Sequence, residues 1–202
     1  MASWAELLTG TGPGEHVVQL YGEDDRLLTR NVSRYLAEGL RRGDGLVTIA
    51  TPEHTSALAR HLGDDEPRLA QEAACAGRLV CLDARQTLAL MLEDGHPDER
   101  RFRSVIGPVL RAVRTSSTSG SSRAFGEMVS LLWEDGRRED VARLEKLWNT
   151  ILAEHACSLY CAYRIDLFAH PAQAADLHPI VCTHDHVLAG AGTLLSGGRP
   201  RP

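Results

Sequence analysis

Two rhythms of apolar residues run through this chain, and they separate strands from helices. His16–Tyr21 (HVVQLY) is a short β-rich run. Asp24 and Asp25 each suit a helix N-cap. From there Leu27, Leu28, Val32, Tyr35, Leu36 and Leu40 recur on one face of a predicted helix to about Arg42. Gly43-Asp44-Gly45 ends it, and Leu46–Ala50 follows as a continuous apolar strand. Thr51 reads as the next N-cap, with Pro52 in the first turn. Arg78–Asp83 (RLVCLD) is a third strand, and helices are predicted at about 84–93 and 98–115. The polar TSSTSGSS segment, 115–122, is short enough for a loop. Ala124–Glu127 reads as a strand end before an apolar helix through Trp133. Glu139–Glu154 reads as a strongly amphipathic helix, Ser158–Tyr163 (SLYCAY) as a buried strand, and Leu177–Val187 as a last short helix.

Strands that are apolar throughout and alternate with helices predict an α/β fold. Its mostly parallel central sheet would be covered by helices on both faces. Ligands of such sheets sit outside the carboxyl ends of the strands, which here carry Tyr21, Thr51, Asp83, Glu127 and Tyr163. Residues 1–14 are expected to form a flexible arm, 15–188 the folded domain, and 189–202 a disordered tail.

Composition narrows the class. The 202 residues suit one domain, and the apolar fraction of 43% suits a globular one. Net charge is −5, Lys146 is the sole lysine, and no basic face is visible, which argues against direct nucleic-acid binding. Abundant Ala, Arg and Gly with scarce Lys point to a GC-rich bacterial source. No apolar run approaches the ~18 residues of a membrane span, and no export signal is visible. Cys75, Cys81, Cys157, Cys161 and Cys182 therefore read as reduced thiols of a cytoplasmic protein. Cys81 and Cys161, within apolar strands, read as buried and inert.

The first strand–helix turn, Gly22-Glu23-Asp24-Asp25, lies where many α/β proteins hold a phosphate. Three acids and no lysine would repel one, and GxxxxGK[ST] occurs nowhere in the chain. GxSxG, HExxH and CxxC are absent as well, so no enzyme is expected. The most metal-like run is Cys182-Thr183-His184-Asp185-His186, which supplies Cys182, His184 and His186 but no local fourth ligand. Packing, capping or ligand contact are its other roles. His54 sits in a first helical turn at the ligand edge, as a pocket residue or an exposed one. Trp133 and Trp148 follow leucines at helical spacing; core packing is the default for such residues, and pocket lining the alternative. Tyr21 and Tyr163 divide evenly between pocket and core edge. Arg123 and Arg164 are weaker candidates for ligand contact.

The blocks HVVQLYGEDD (16–25), YLAEGLRRGDGLVTIATPEH (35–54), GRLVCLDA (77–84), RAFGEMVSLLWEDG (123–136), LEKLWN (144–149) and SLYCAY (158–163) resemble the MEDS domain. That is the sensory domain of methanogens and methylotrophs described for the dichloromethane regulator DcmR. The likeness spans about residues 15–187. It implies a RecA/KaiC-like three-layer fold without the nucleotide chemistry. It further implies a sensory module for a small, apolar ligand such as a hydrocarbon derivative. Glu127 lies within the family's GEM block, as a pocket carboxylate or a helix cap. The expected ligand-binding residues are Tyr21, Asp24, Thr51, His54, Glu127, Trp133, Trp148, Tyr163 and His184. No cofactor is expected. Signalling would pass to a separate partner: a kinase, a sigma-factor regulator or a transcription factor. RecA-like relatives often assemble, so a homodimer also enters the expectation. The alternatives are a degenerate nucleotide-binding enzyme using Asp24, Glu127 and a metal, or a metal protein built on Cys182, His184 and His186.

Overall fold

The structure, a computed structural model, describes residues 4–165, 177–189 and 193–196. In chain order the elements are α1 (Trp4–Gly10), β1 (His16–Tyr21), α2 (Arg26–Arg42), β2 (Gly45–Ala50), α3 (Pro52–Asp65), α4 (Pro67–Cys75) and β3 (Leu79–Asp83). There follow α5 (Ala84–Met91), the small hairpin of β4 (Leu92–Glu93) and β5 (His96–Pro97), α6 (Glu99–Ser116), β6 (Ser122–Gly126), α7 (Met128–Glu134) and α8 (Arg138–Glu154). The last are β7 (Cys157–Arg164), α9 (His178–Thr183), β8 (His186–Ala189) and β9 (Thr193–Ser196).

The main sheet has the order β3-β2-β6-β7-β1-β8-β9. Every neighbouring pair is parallel except β8–β9. From β1 through β2 to β3 the chain moves toward one edge; from β6 through β7 to β8 it moves back toward the other. Right-handed crossovers then force the helices to change face. Alternation within the strands follows the same division. Val17, Tyr21, Leu46, Ala50, Phe125 and Tyr160 point into a core shared with Leu8 of α1, Leu28, Val32 and Leu36 of α2 and Leu58 of α3. Val18, Leu20, Val47, Ile49, Ala124, Leu159, Cys161 and Tyr163 point into the opposite core, under α5 to α9. The chain is thus a three-layer α/β fold.

The local signals for several elements are visible in the coordinates. Thr51 caps α3, its Oγ1 accepting from the His54 N–H at 3.4 Å. Gly43 closes α2 at φ 77°, where its amide returns to the helix carbonyls and a side chain would be strained.

The ends of the chain depart from expectation. Residues 4–10 of the predicted arm form a helix, anchored by the fully buried Leu8. Arg123 reaches this segment from β6, donating from Nη2 to the Thr11 carbonyl at 3.1 Å and from Nε to Asp44 Oδ2 at 2.9 Å. It is 2% exposed. In place of one helix over 177–187 there is α9, a bend at Asp185 and strand β8. Thr193–Ser196, within the predicted tail, pairs with β8. Residues 1–3 of the arm and 190–192 and 197–202 of the tail lie outside the described residues. Cys81 is exposed rather than buried, because β3 is an edge strand with an incompletely covered face.

Candidate functional site

The structure divides the residues singled out from sequence between two places. The first is the carboxyl edge of the sheet, where the loops after β2 and β6 leave toward opposite faces. Glu127 occupies the N-cap position of α7 but makes no bond to that helix's amides. Its carboxylate instead accepts from the Thr51 backbone N–H. It also meets His54 Nδ1 at 2.5 Å, while His54 Nε2 faces Asp25 Oδ2 at 3.1 Å. The Tyr21 ring stands edge-on to His54, with centroids 6.0 Å apart. Burial alone would push the His54 pKa down; the Glu127 and Asp25 carboxylates outweigh it and leave it raised. Burial, reinforced by Glu127, pushes the Tyr21 phenol well up. Thr51, His54, Glu127 and Asp25 thus form one hydrogen-bonded group, with the Tyr21 ring packed edge-on against it.

Asp24 does not join it. Its side chain is exposed and forked by Arg26, with contacts of 2.9 and 2.7 Å, and those hydrogen bonds lower its pKa to about 2. Trp148 does not join it either. It packs edge-on against Phe102 at 5.1 Å in the core under α6 and α8.

The second place lies beneath α7, α8 and α9. A cleft of about 170 Å³ is lined by Trp133, Val141, Ala142, Pro179 and Ile180, with Arg138, Glu145 and Thr183 as its polar members. The Arg138 guanidinium covers the Trp133 ring at 3.5 Å, and the Tyr163 and Trp133 rings meet edge-on with centroids 5.9 Å apart. A second groove, of about 360 Å³, runs between α3, α4 and β3 past Cys75 and Cys81.

Where the first cleft meets Glu145, a wholly buried polar cluster begins: His16, Glu145, Cys161 and His184. His16 Nε2 is 3.1 Å from Cys161 Sγ and 3.7 Å from Glu145 Oε2; His184 Nε2 is 3.4 Å from Glu145 Oε1. Tyr163 donates its hydroxyl to Glu145 Oε1. Burial alone would raise the Glu145 pKa; protonated His184 and His16 rings beside it would instead hold it below the usual carboxylate range. Burial pushes the Cys161 thiol well up, and the Glu145 charge adds to this.

Of the predicted residues, Trp133, Tyr163 and His184 belong to this second place. His16, Glu145, Asn149, Arg138 and Ile180 were missed. One signal for Glu145 was available: it interrupts the apolar stripe Val141, Leu144, Trp148, Ile151 of α8, where a charge has no ordinary reason to sit. The predicted metal set Cys182, His184, His186 does not converge. Cys182 Sγ lies 3.6 Å from His178 Nε2 and His186 Nε2 3.6 Å from Glu15 Oε1. The bend at Asp185 separates them from His184, which is turned into the core.

The chain is thus a layered α/β domain with an acidic first turn and a buried polar cluster beside an apolar cleft. The family profile described as MEDS, MEthanogen/methylotroph, DcmR Sensory domain, matches residues 15–185. The chain belongs to that family of sensory domains. No curated protein matches it. Among the described residues, no helix is long and apolar enough to cross a membrane.

Proposed function

We propose that this domain senses a small, largely apolar organic molecule in the cleft between α7, α8 and α9, and passes the signal to a separate regulatory protein. The observation that carries this reading is the cleft's composition. Five apolar residues surround a space ending on the buried carboxylate of Glu145. A pocket of this kind gives an apolar ligand its affinity and a few polar groups its orientation. Its volume of about 170 Å³ is close to that of cavities of ~150 Å³ that hold benzene. A hydrocarbon derivative of about five non-hydrogen atoms fits this scale. At no more than ~1.5 kcal/mol per atom, its affinity is bounded near the micromolar range.

Binding can signal only by favouring one conformation over another. α9 is the element placed to respond, since it supplies Pro179, Ile180 and Thr183 to the cleft and leads directly into β8. A ligand wedged against α9 shifts the α8–α9 spacing and, through β8, the sheet edge presented to a partner. The edge group of His54 and Glu127 is a second reading, favoured by its position where the crossovers change direction; its polar atoms are, however, already paired.

The test is a binding titration with short-chain alcohols and halogenated alkanes on three proteins. Ala142 is exposed on α8 and borders the cleft, so Ala142→Phe fills the space without disturbing the core. It is expected to weaken binding at least tenfold, with Glu127→Gln unchanged. The reverse ranking would move the ligand to the sheet edge. Binding insensitive to both substitutions would remove both sites.

A further inference from the structure

We infer that His16, Glu145, Cys161 and His184 form a binding site for one zinc-class divalent cation, buried between β1, β7, α8 and the end of α9. The inference stands on the cluster alone and does not require the ligand cleft.

Hydrogen bonds away from the cluster orient both imidazoles. Asn149 donates its amide to the Thr183 carbonyl at 3.0 Å, which turns its Oδ1 toward His16 Nδ1 at 2.9 Å. His16 Nδ1 must therefore carry the hydrogen. His184 Nδ1 faces the Ile180 carbonyl at 2.6 Å and must carry one too. In the neutral rings both Nε2 atoms are then lone pairs, and both are directed at Glu145. Holding one ring nitrogen on a carbonyl so that the other can coordinate is how proteins prepare histidine ligands. Tyr163 plays the same part for the carboxylate, binding Oε1.

The spacing suits a metal better than it suits direct contact. The four ligand atoms lie within 4.8 Å of one another, with nearest separations of 3.1, 3.4 and 3.7 Å. Tetrahedral zinc, with bonds of about 2.0–2.3 Å, sets such separations at roughly 3.3–3.6 Å. Among the described residues two of the atoms, Glu145 Oε2 and His184 Nε2, have no hydrogen-bond partner, although all four residues are at most 1% exposed. Buried polar atoms are seldom left so, and an ion in their midst satisfies both. Charge supports this. A dication with one carboxylate, one thiolate and two neutral imidazoles sums to zero, as burial requires. Binding displaces the Cys161 thiol proton, which leaves to solvent. The mixed N, S and O donors favour zinc or cobalt over magnesium or calcium.

The test uses the full chain without a histidine tag. Zinc content after gel filtration is expected near one per chain. Cobalt(II) loading is expected to give tetrahedral d–d bands with a thiolate charge-transfer band, and Cys161→Ser should remove the latter. Asn149→Ala, which touches no ligand atom of the metal, should weaken zinc about 10–100-fold. The exposed-side control Cys182→Ser with His178→Gln should change nothing. Failure of well-folded wild-type protein to take up zinc or cobalt at micromolar free metal would overturn the inference. So would a metal lost in the Cys182/His178 control and retained in Cys161→Ser. If the cluster is instead a buried carboxylate–imidazolium network, the chain stays metal-free in every arm.

Discussion

Replacing Arg123 by methionine is expected to destabilise the domain by about 3–5 kcal/mol, the usual cost of leaving one member of a buried ion pair alone. The side chain is 2% exposed and runs from β6 against α2, beside Gly39 and over the Tyr35 ring. Its Nε donates to Asp44 Oδ2 at 2.9 Å, while Nη1 and Nη2 reach the carbonyls of Leu8, Tyr35, Thr9 and Thr11 at 3.1–3.5 Å. Methionine keeps the apolar stem and removes every donor. Asp44, 5% exposed, is then left with Ser119 Oγ at 2.6 Å as its side-chain donor. The carbonyl contacts are long, so the stranded carboxylate dominates the loss. Urea unfolding measures it as a fall in midpoint at unchanged slope. For a domain of this size, 1 kcal/mol corresponds to about 2–4 °C, so Tm should fall by roughly 6–20 °C. Asp44→Asn should cost less, because the amide still accepts from Arg123. The double variant should lose less than the two single losses added. Three of the stranded carbonyls belong to Leu8, Thr9 and Thr11, so hydrogen exchange in Arg123→Met should accelerate first in that segment. A loss below about 1 kcal/mol, or full additivity with Asp44→Asn, would refute the assignment of Arg123 to the framework.

Other outcomes follow from the same geometry. The raised His54 pKa stabilises the fold where the imidazole is charged. The difference between wild type and His54→Gln should therefore be largest below the ordinary value of 6.5 and shrink as pH rises through the folded value. NMR titration of His54 in Glu127→Gln should show its pKa falling back; no change would remove Glu127 as the cause. Trp148→Ala should cost about 3–5 kcal/mol by cavity formation and leave ligand affinity unchanged in the folded protein. Millimolar Mg-ATP should leave Tm unmoved. Even a Kd equal to the ATP concentration would add about 0.4 kcal/mol and be visible.

Much of the architecture was legible in the chain. HVVQLY, LVTIA and SLYCAY read as strands because both faces of a parallel sheet are covered. Thr51-Pro52 announced α3 by its cap. The N-terminal helix was hidden because its anchor, Leu8, gains meaning only once Arg123 of β6 reaches that segment, more than a hundred residues on. The segment 177–187 was mistaken for one helix because apolar runs of this length do not distinguish a short helix from a strand.

The site was legible in part. The fold brings Thr51, His54 and Glu127 into contact, since strand ends of one sheet are brought together by topology. His16 is not singled out by the sequence and Cys161 reads as buried and inert, because each looks like an ordinary strand residue until parallel pairing of β1 with β7 sets their side chains on one face. Nearness in sequence groups His184 with Cys182 and His186, whereas the fold sets its ring beside Glu145 of α8 and His16 of β1.

The measurement closest to the central claim is a ¹H–¹⁵N correlation titration of the untagged chain with a short halogenated alkane or alcohol. Saturable shifts concentrated at Trp133, Val141, Ala142, Glu145, Ile180 and Thr183 are expected, abolished by Ala142→Phe. Saturable shifts centred on Thr51, His54 and Glu127, or none at any probe concentration up to the solubility limit, would contradict that claim.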